Sequence, residues 1–159
     1  MGGPGPQLVN VRDHIDVLFA LDSKIAEASP DLLPLGSPHE LLAFLTVEHE
    51  SDTYLWRGAA GELVGYLSVI DFPDRSVVEV LNVGVDPDAQ GEGHGKAMMD
   101  YAERLAREAS RHKLTLVTNV KNAQARRFYE GIGFTAVSEA ENYYGDGETR
   151  VVFEKAVRY

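Results

Sequence analysis

Seven residues rich in glycine, Gln90-Gly91-Glu92-Gly93-His94-Gly95-Lys96, stand between an apolar stretch and an amphipathic one. Glycines let backbone N–H groups approach an anion, and a helix N-terminus adds unpaired donors and a partial positive charge. A pyrophosphate fits such a turn even on an acidic chain, and Lys96 adds a formal charge. A tight turn without a ligand is the plainer alternative. Two better-known phosphate loops do not fit these letters. A P-loop needs glycine where Gln90 stands and Ser or Thr where Ala97 stands. A dinucleotide fingerprint needs glycine at Lys96 and an acidic residue near the position of Arg111 and Lys113.

Other reactive types are sparse. Glu79 is the one acidic residue inside the apolar run 76–85 (SVVEVLNVGV), and Gly84 is expected to interrupt the strand there, as glycine at a bulge or a close approach to the backbone does. No Gly-x-Ser-x-Gly elbow is present, and histidines 14, 39, 49, 94 and 112 lack metal-ligand spacing, so no metal is expected. Zero cysteines exclude disulfides, thiolate metal sites and a Cys-linked intermediate.

The elements that must carry these residues follow from periodicity and punctuation. A short strand at 7–11 leads to a helix capped at Asp13 and reaching about Ala28. Pro30 and Pro34 enforce a loop, and Ser37-Pro38-His39-Glu40 reads as a capping box opening a second helix to about Glu48. Strands at 52–57 and 62–70 form a hairpin across Gly58 to Gly61. The run 76–85 reads as a central strand covered on both faces. A helix from about Gly93 to Arg111 follows, with Ala97, Met98, Tyr101, Leu105 and Ala109 along one face. A strand at 114–118, a helix capped by Asn122 and ended by Gly133, and strands near 134–139 and 148–155 complete the chain. The expected fold class is α/β (α+β): a mixed, mostly antiparallel sheet of six to seven strands with about four helices on both faces.

A length of 159 residues suits one domain, taken as 7–159 behind a flexible tail at 1–6. The formal net charge of −10 has the wrong sign for a nucleic-acid partner. The longest apolar runs, Val17 to Leu21 and Leu41 to Leu45, fall far short of the roughly 18 residues of a membrane span. The opening MGGPGPQLVN lacks the pattern of a signal peptide, so the expectation is a cytoplasmic protein with no membrane partner.

The glycine loop, with Gln90, Gly93 and Gly95 in place, resembles the acetyl-CoA loop of the GNAT superfamily of N-acetyltransferases. Val83-Gly84-Val85-Asp86-Pro87 resembles that family's strand and turn ahead of the loop. The run from Asn122 through Ala125, Phe128, Tyr129 and Glu130 to Gly133-Phe134 resembles its second signature. The likeness covers roughly 62–155. It implies acetyl-CoA as co-substrate and direct acetyl transfer to a small-molecule, lysine or protein N-terminal amine, by a monomer or homodimer. A non-catalytic acyl-CoA-binding module is the alternative.

The resemblance also implies roles. Glu79 falls at the general base, its alternative being a strand carboxylate paired with a nearby Arg or Lys. Tyr129 falls at the general acid facing the CoA sulfur, its alternative being a core aromatic. Gln90, Gly91, Gly93, His94, Gly95 and Lys96 would hold the cofactor phosphates. Asn122 would contact the pantetheine arm or act as a helix cap only, and backbone at Val83 to Val85 would anchor the thioester oxygen. Lys121, Arg126 and Arg127 would help with phosphates or remain solvated. Glu141-Asn142-Tyr143-Tyr144 resembles the segment of N-terminal acetyltransferases whose paired tyrosines line a peptide groove, which marks Tyr143 and Tyr144 for substrate, or else as surface aromatics. Val117 stands where those enzymes often carry a second base, a departure from the pattern.

Overall fold

The computed structural model describes residues 5–28 and 51–159. The expected helix opened by Ser37 lies outside them. Seven strands, β1 (Gln7–Val9), β2 (Asp52–Arg57), β3 (Leu63–Phe72), β4 (Val77–Val85), β5 (Lys113–Asn119), β6 (Thr135–Ala140) and β7 (Arg150–Ala156), hydrogen-bond in the order β1-β2-β3-β4-β5-β7-β6. Three helices occur among the described residues: α1 (Val11–Ala28), α2 (His94–Glu108) and α3 (Ala123–Gly131). No helix among the described residues is long and apolar enough to cross a membrane.

The chain forms two compact units, one of residues 1–70 and 81–101, the other of 71–80 and 102–159. In the first, β1 and β2 pair antiparallel, and β2 pairs antiparallel with β3 from Asp52↔Val69 to Arg57↔Leu63, with a shift at Trp56/Arg57. Its core gathers Val11, Leu18 and Leu21 of α1 with Leu55 and Tyr66, and Ile25 and Leu81 pack against them. Steps of seven and then three residues between 11, 18 and 21 put them on one helix face, and each fully buried Leu contributes about 1.5–3 kcal/mol.

In the second unit β4 pairs parallel with β5 from Val77↔Lys113 to Val80↔Leu116, and β7 pairs antiparallel with both β5 and β6. Leu114, Leu116, Val151 and Phe153 are almost wholly buried, as two-residue alternation requires of β5 and β7. Strand β6 is exposed along most of its length.

Four local expectations need correction. The cap of α1 is Asn10, whose Oδ1 accepts from Arg12 N at 2.9 Å; Asp13 lies inside the first turn, where its charge suits the helix dipole. The first strand stops at Val9 for the same reason. The buried stripe of α2 is Met98, Met99, Ala102, Glu103 and Ala106, while Ala97 is exposed. Gly84 does not interrupt β4, which runs unbroken to Val85. A methyl there would meet Ile25 Cδ1 at 2.7 Å, so glycine admits a side chain of α1.

Candidate functional site

In the first unit, β4 delivers the chain to a sharp turn. Asp86 donates its N–H to Val64 O at 2.7 Å, and its Oδ1 accepts from Asp88 N at 2.9 Å. Pro87–Ala89 form a 3-10 turn, and Gln90 is exposed beyond it. Gly91 and Gly93 have φ of +84° and +85°, a region costly for residues with a Cβ, and open space surrounds both Cβ positions. The helix α2 opens directly afterwards, at His94.

Gln90, Gly91, Gly93, His94, Gly95 and Lys96 thus lie in one exposed to half-exposed segment at a helix N-terminus. His94 Nε2 lies 3.1 Å from Glu92 Oε2, and Lys96 Nζ lies 2.8 Å from Asp100 Oδ2. The Lys96 charge is therefore shared with a carboxylate one turn on. The backbone N–H groups remain the main anion donors of the segment. Val83 and Val85 are half-buried on β4 just upstream.

Sequence reasoning missed a polar relay in this unit. Tyr66, with none of its surface exposed, donates its hydroxyl proton to Asp22 Oδ1 at 2.9 Å and accepts from Asn82 Nδ2 at 2.6 Å. Burial pushes the Asp22 carboxyl up against the opposing Tyr66 hydrogen bond. Burial also pushes the Tyr66 phenol well up, reinforced by Asp22. The one sequence signal was Asn82, an amide within an otherwise apolar run.

In the second unit, Glu79 is half-buried on β4. Desolvation pushes its carboxyl up, with Arg75 pulling the other way. Glu79 has no hydrogen-bonded cation among the described residues. Its charge raises the phenols of both Tyr143 and Tyr144, though burial is the larger cause at each, and Tyr144 is pushed up to about 12. Glu79 and the two tyrosines thus share one electrostatic neighbourhood. The tyrosine rings meet edge to face at 4.8 Å, and Arg150 lies over the Tyr144 ring at 5.2 Å. Both rings are partly exposed.

Asn122 caps α3, its Oδ1 accepting from Ala125 N at 3.1 Å, which leaves the amide nitrogen outside the cap. The Tyr129 ring packs among Phe128, Phe134 and Phe153 at centroid separations of 5.3, 5.8 and 6.0 Å. Burial pushes its phenol up to about 12. Arg126 Nη1 donates to Val120 O at 3.2 Å and Lys121 lies 3.3 Å from Glu148, so both have local partners.

A seven-stranded mixed sheet, with a glycine turn of positive φ opening a helix after its central strand, defines an acetyltransferase fold. Residues 20–134 match the profile of the Acetyltransferase (GNAT) family, and the chain belongs to that family. Its sequence is similar to mycothiol acetyltransferase of Beutenbergia cavernae, 39% identical over 71 residues, which are 45% of this chain and 24% of that protein. Among solved structures it is similar to nourseothricin acetyltransferase, with a TM-score of 0.64 and 28% identity over 68% of this chain and 66% of that one. The ribosomal-protein-S18-alanine N-acetyltransferase of Escherichia coli shares the fold, with a TM-score of 0.75, 18% identity, and coverage of 98% and 94%. The matched stretch spans only about a quarter of the mycothiol enzyme's length.

Proposed function

We propose that the chain is an N-acetyltransferase that moves an acetyl group from acetyl-CoA directly onto an amine. The supporting observation is the Gln90–Lys96 turn, with Gly91 and Gly93 at positive φ before α2, in a chain of the GNAT family. The family match runs through segments of both units, which supports reading 7–159 as one domain. The acceptor is a small molecule, a lysine or a protein N-terminus, the protein is cytoplasmic, and it acts as monomer or homodimer.

Acetyl-CoA supplies the activated thioester. Backbone donors of Gln90 to Lys96 hold its pyrophosphate, and Asn122 offers its free amide nitrogen to the pantetheine arm. An acceptor amine of pKa about 10.4 is mostly protonated at neutral pH, so a base must take its proton before nitrogen attacks the thioester carbon. Glu79 takes that proton, directly or through water, and its desolvated carboxylate is the stronger base for it. Backbone N–H groups at Val83 to Val85 stabilise the oxygen as the tetrahedral state forms. The C–S bond then breaks, the thiolate leaves, and the nitrogen gives its second proton to solvent as the amide forms. Full proton transfer from Tyr129, at about 12, to a thiolate whose conjugate acid lies near 8.5 runs uphill. The role of Tyr129 is therefore a hydrogen bond to the departing sulfur, with solvent completing protonation. Tyr143 and Tyr144 line the acceptor's approach.

Thermal unfolding with acetyl-CoA, CoA, ATP and a nicotinamide dinucleotide at matched concentrations tests the reading. A ligand at 100 times its dissociation constant stabilises by about 2.7 kcal/mol. Selective stabilisation by acetyl-CoA, followed by free-thiol release in an amine screen, is the expected result. The absence of cysteine gives that assay no protein background. A larger shift with another nucleotide refutes the proposal.

A further inference from the structure

The Asp22–Tyr66–Asn82 relay has no part in the chemistry above. Asp22 sits on α1, and its Oδ1 is held by the buried Tyr66 hydroxyl. Among the described residues no cation is bonded to it. The lysine two residues on, Lys24, is engaged by Asp86 and Asp88. A desolvated carboxylate with one neutral donor is short of countercharge, as its raised pKa reflects.

Its position gives that shortage a use. Asn82 bonds the Tyr66 hydroxyl, and the Tyr66 ring passes 3.4 Å from the Cβ position of Gly84. The carboxylate is thus anchored beside the strand segment to which the proposed reaction assigns the thioester oxygen. An acceptor reaching that segment passes a fixed negative charge in a partly water-excluded place.

We infer that Asp22 is a specificity-determining residue that binds a cationic group on the acceptor, with Tyr66 and Asn82 as its positioning residues. The inference rests on the acetyltransferase reading and names its substrate class: amines carrying a second positive charge, such as diamines or basic peptides. Tyr66 locks one carboxylate oxygen and leaves the other for the ligand.

Three primary amines of matched length separate the cases: putrescine, n-butylamine and γ-aminobutyrate carry a cation, nothing or an anion at the far end. The unaltered protein should favour putrescine over n-butylamine by about tenfold in kcat/KM, a difference an ion pair in a partly desolvated setting supplies. Asp22→Asn keeps an acceptor for the Tyr66 hydroxyl but removes the charge. It should erase the preference through the KM of putrescine, leaving n-butylamine turnover and the KM of acetyl-CoA unchanged. Tyr66→Phe should weaken the preference and Asp22→Glu should retain part of it. The inference is overturned by an Asp22→Asn protein that keeps the preference, by a preference for γ-aminobutyrate, or by no turnover of putrescine while acetyl-CoA still stabilises the fold. Loss of acetyl-CoA stabilisation in the unaltered protein would instead overturn the acetyltransferase reading.

Discussion

Lys24 Nζ lies 2.9 Å from Asp86 Oδ1, and the same nitrogen lies 2.7 Å from Asp88 Oδ2, so α1 is tied to the turn that leads into Gln90. The pair holds the Asp86 carboxyl below its usual range and the Lys24 ammonium above its own. Lys24→Met should raise the KM of acetyl-CoA about threefold, as expected for an exposed contact of this kind. The KM of the acceptor should not change. The difference should shrink in high salt, where the ion pair that only the unaltered protein has is screened. Unchanged cofactor affinity at low salt would remove Lys24 from the positioning of the loop.

The base role proposed for Glu79 and its effect on stability carry opposite signs. Its folded pKa is raised, so its contribution to stability is full below the unfolded value of about 4.3 and is lost as pH rises through the folded value. At neutral pH the ionised carboxylate costs stability. Glu79→Gln should therefore melt higher than the unaltered protein at pH 7 and no differently at pH 3, while turnover near neutrality falls by about a hundredfold. Paired melting curves and pH–rate profiles check both halves. A variant with an unaltered profile excludes Glu79 as the base.

Tyr129→Phe should lower kcat by about tenfold, the worth of one hydrogen bond to a charged leaving group, and leave acetyl-CoA binding intact. Because the phenol sits at about 12, the pH–rate profile of the unaltered protein should show no falling limb from Tyr129 below about pH 10. A limb near pH 8 that vanishes in the phenylalanine variant would restore Tyr129 as a full proton donor.

Glu103 should make the second unit sensitive to acid. The carboxylate is 1% exposed and bonded by Arg158 at 2.9 Å and Lys155 at 2.9 Å. Burial alone would raise its pKa, but these hydrogen bonds outweigh it and bring the group down to about 2. A depressed carboxyl contributes stability above its unfolded value, and the contribution is lost as pH falls from about 4.3 towards 2. Glu103→Gln leaves Lys155 and Arg158 without their countercharge and should cost about 3 kcal/mol at pH 7, with the deficit closing below pH 3. Denaturant titrations at the two pH values decide it.

Local signals in the sequence were read with success where one residue governs one backbone feature. Asn122 caps α3 because its side chain reaches a donor three residues on, and positive φ at Gly93 follows from a turn only glycine enters cheaply. The nearly continuous apolar run of β4 and the short apolar stretch of β5 placed those strands. Features joining distant segments were not legible. Asp22 and Tyr66 are paired across 44 residues, Glu103 and Arg158 across 55, and neither pair has a local pattern. Gly84 was read as a break in its strand because the side chain that needs its space belongs to α1. The cap moved from Asp13 to Asn10 since both residue types serve, and only the first helical turn separates them.

Two glycines on neighbouring strands should respond differently to a methyl group. At Gly65 an added Cβ would lie 2.6 Å from Gly84 O and 3.0 Å from Met98 Cε. The carbonyl belongs to β4 and cannot turn away without moving Val83 to Val85. Gly65→Ala should therefore cost about 1–3 kcal/mol through overpacking and also weaken acetyl-CoA binding. At Gly84 the nearest atom is Ile25 Cδ1 at 2.7 Å, the end of a side chain that can change rotamer, and the Tyr66 ring follows at 3.4 Å. Gly84→Ala should be the milder of the two, and its cost should fall when Ile25 is shortened to valine. Denaturant midpoints for the two alanine variants and for Gly84→Ala with Ile25→Val measure this directly. Equal costs at both positions, or no relief from the shorter residue 25, would mean that β4 itself yields, and that the thioester-oxygen segment is less rigid than the proposed mechanism requires.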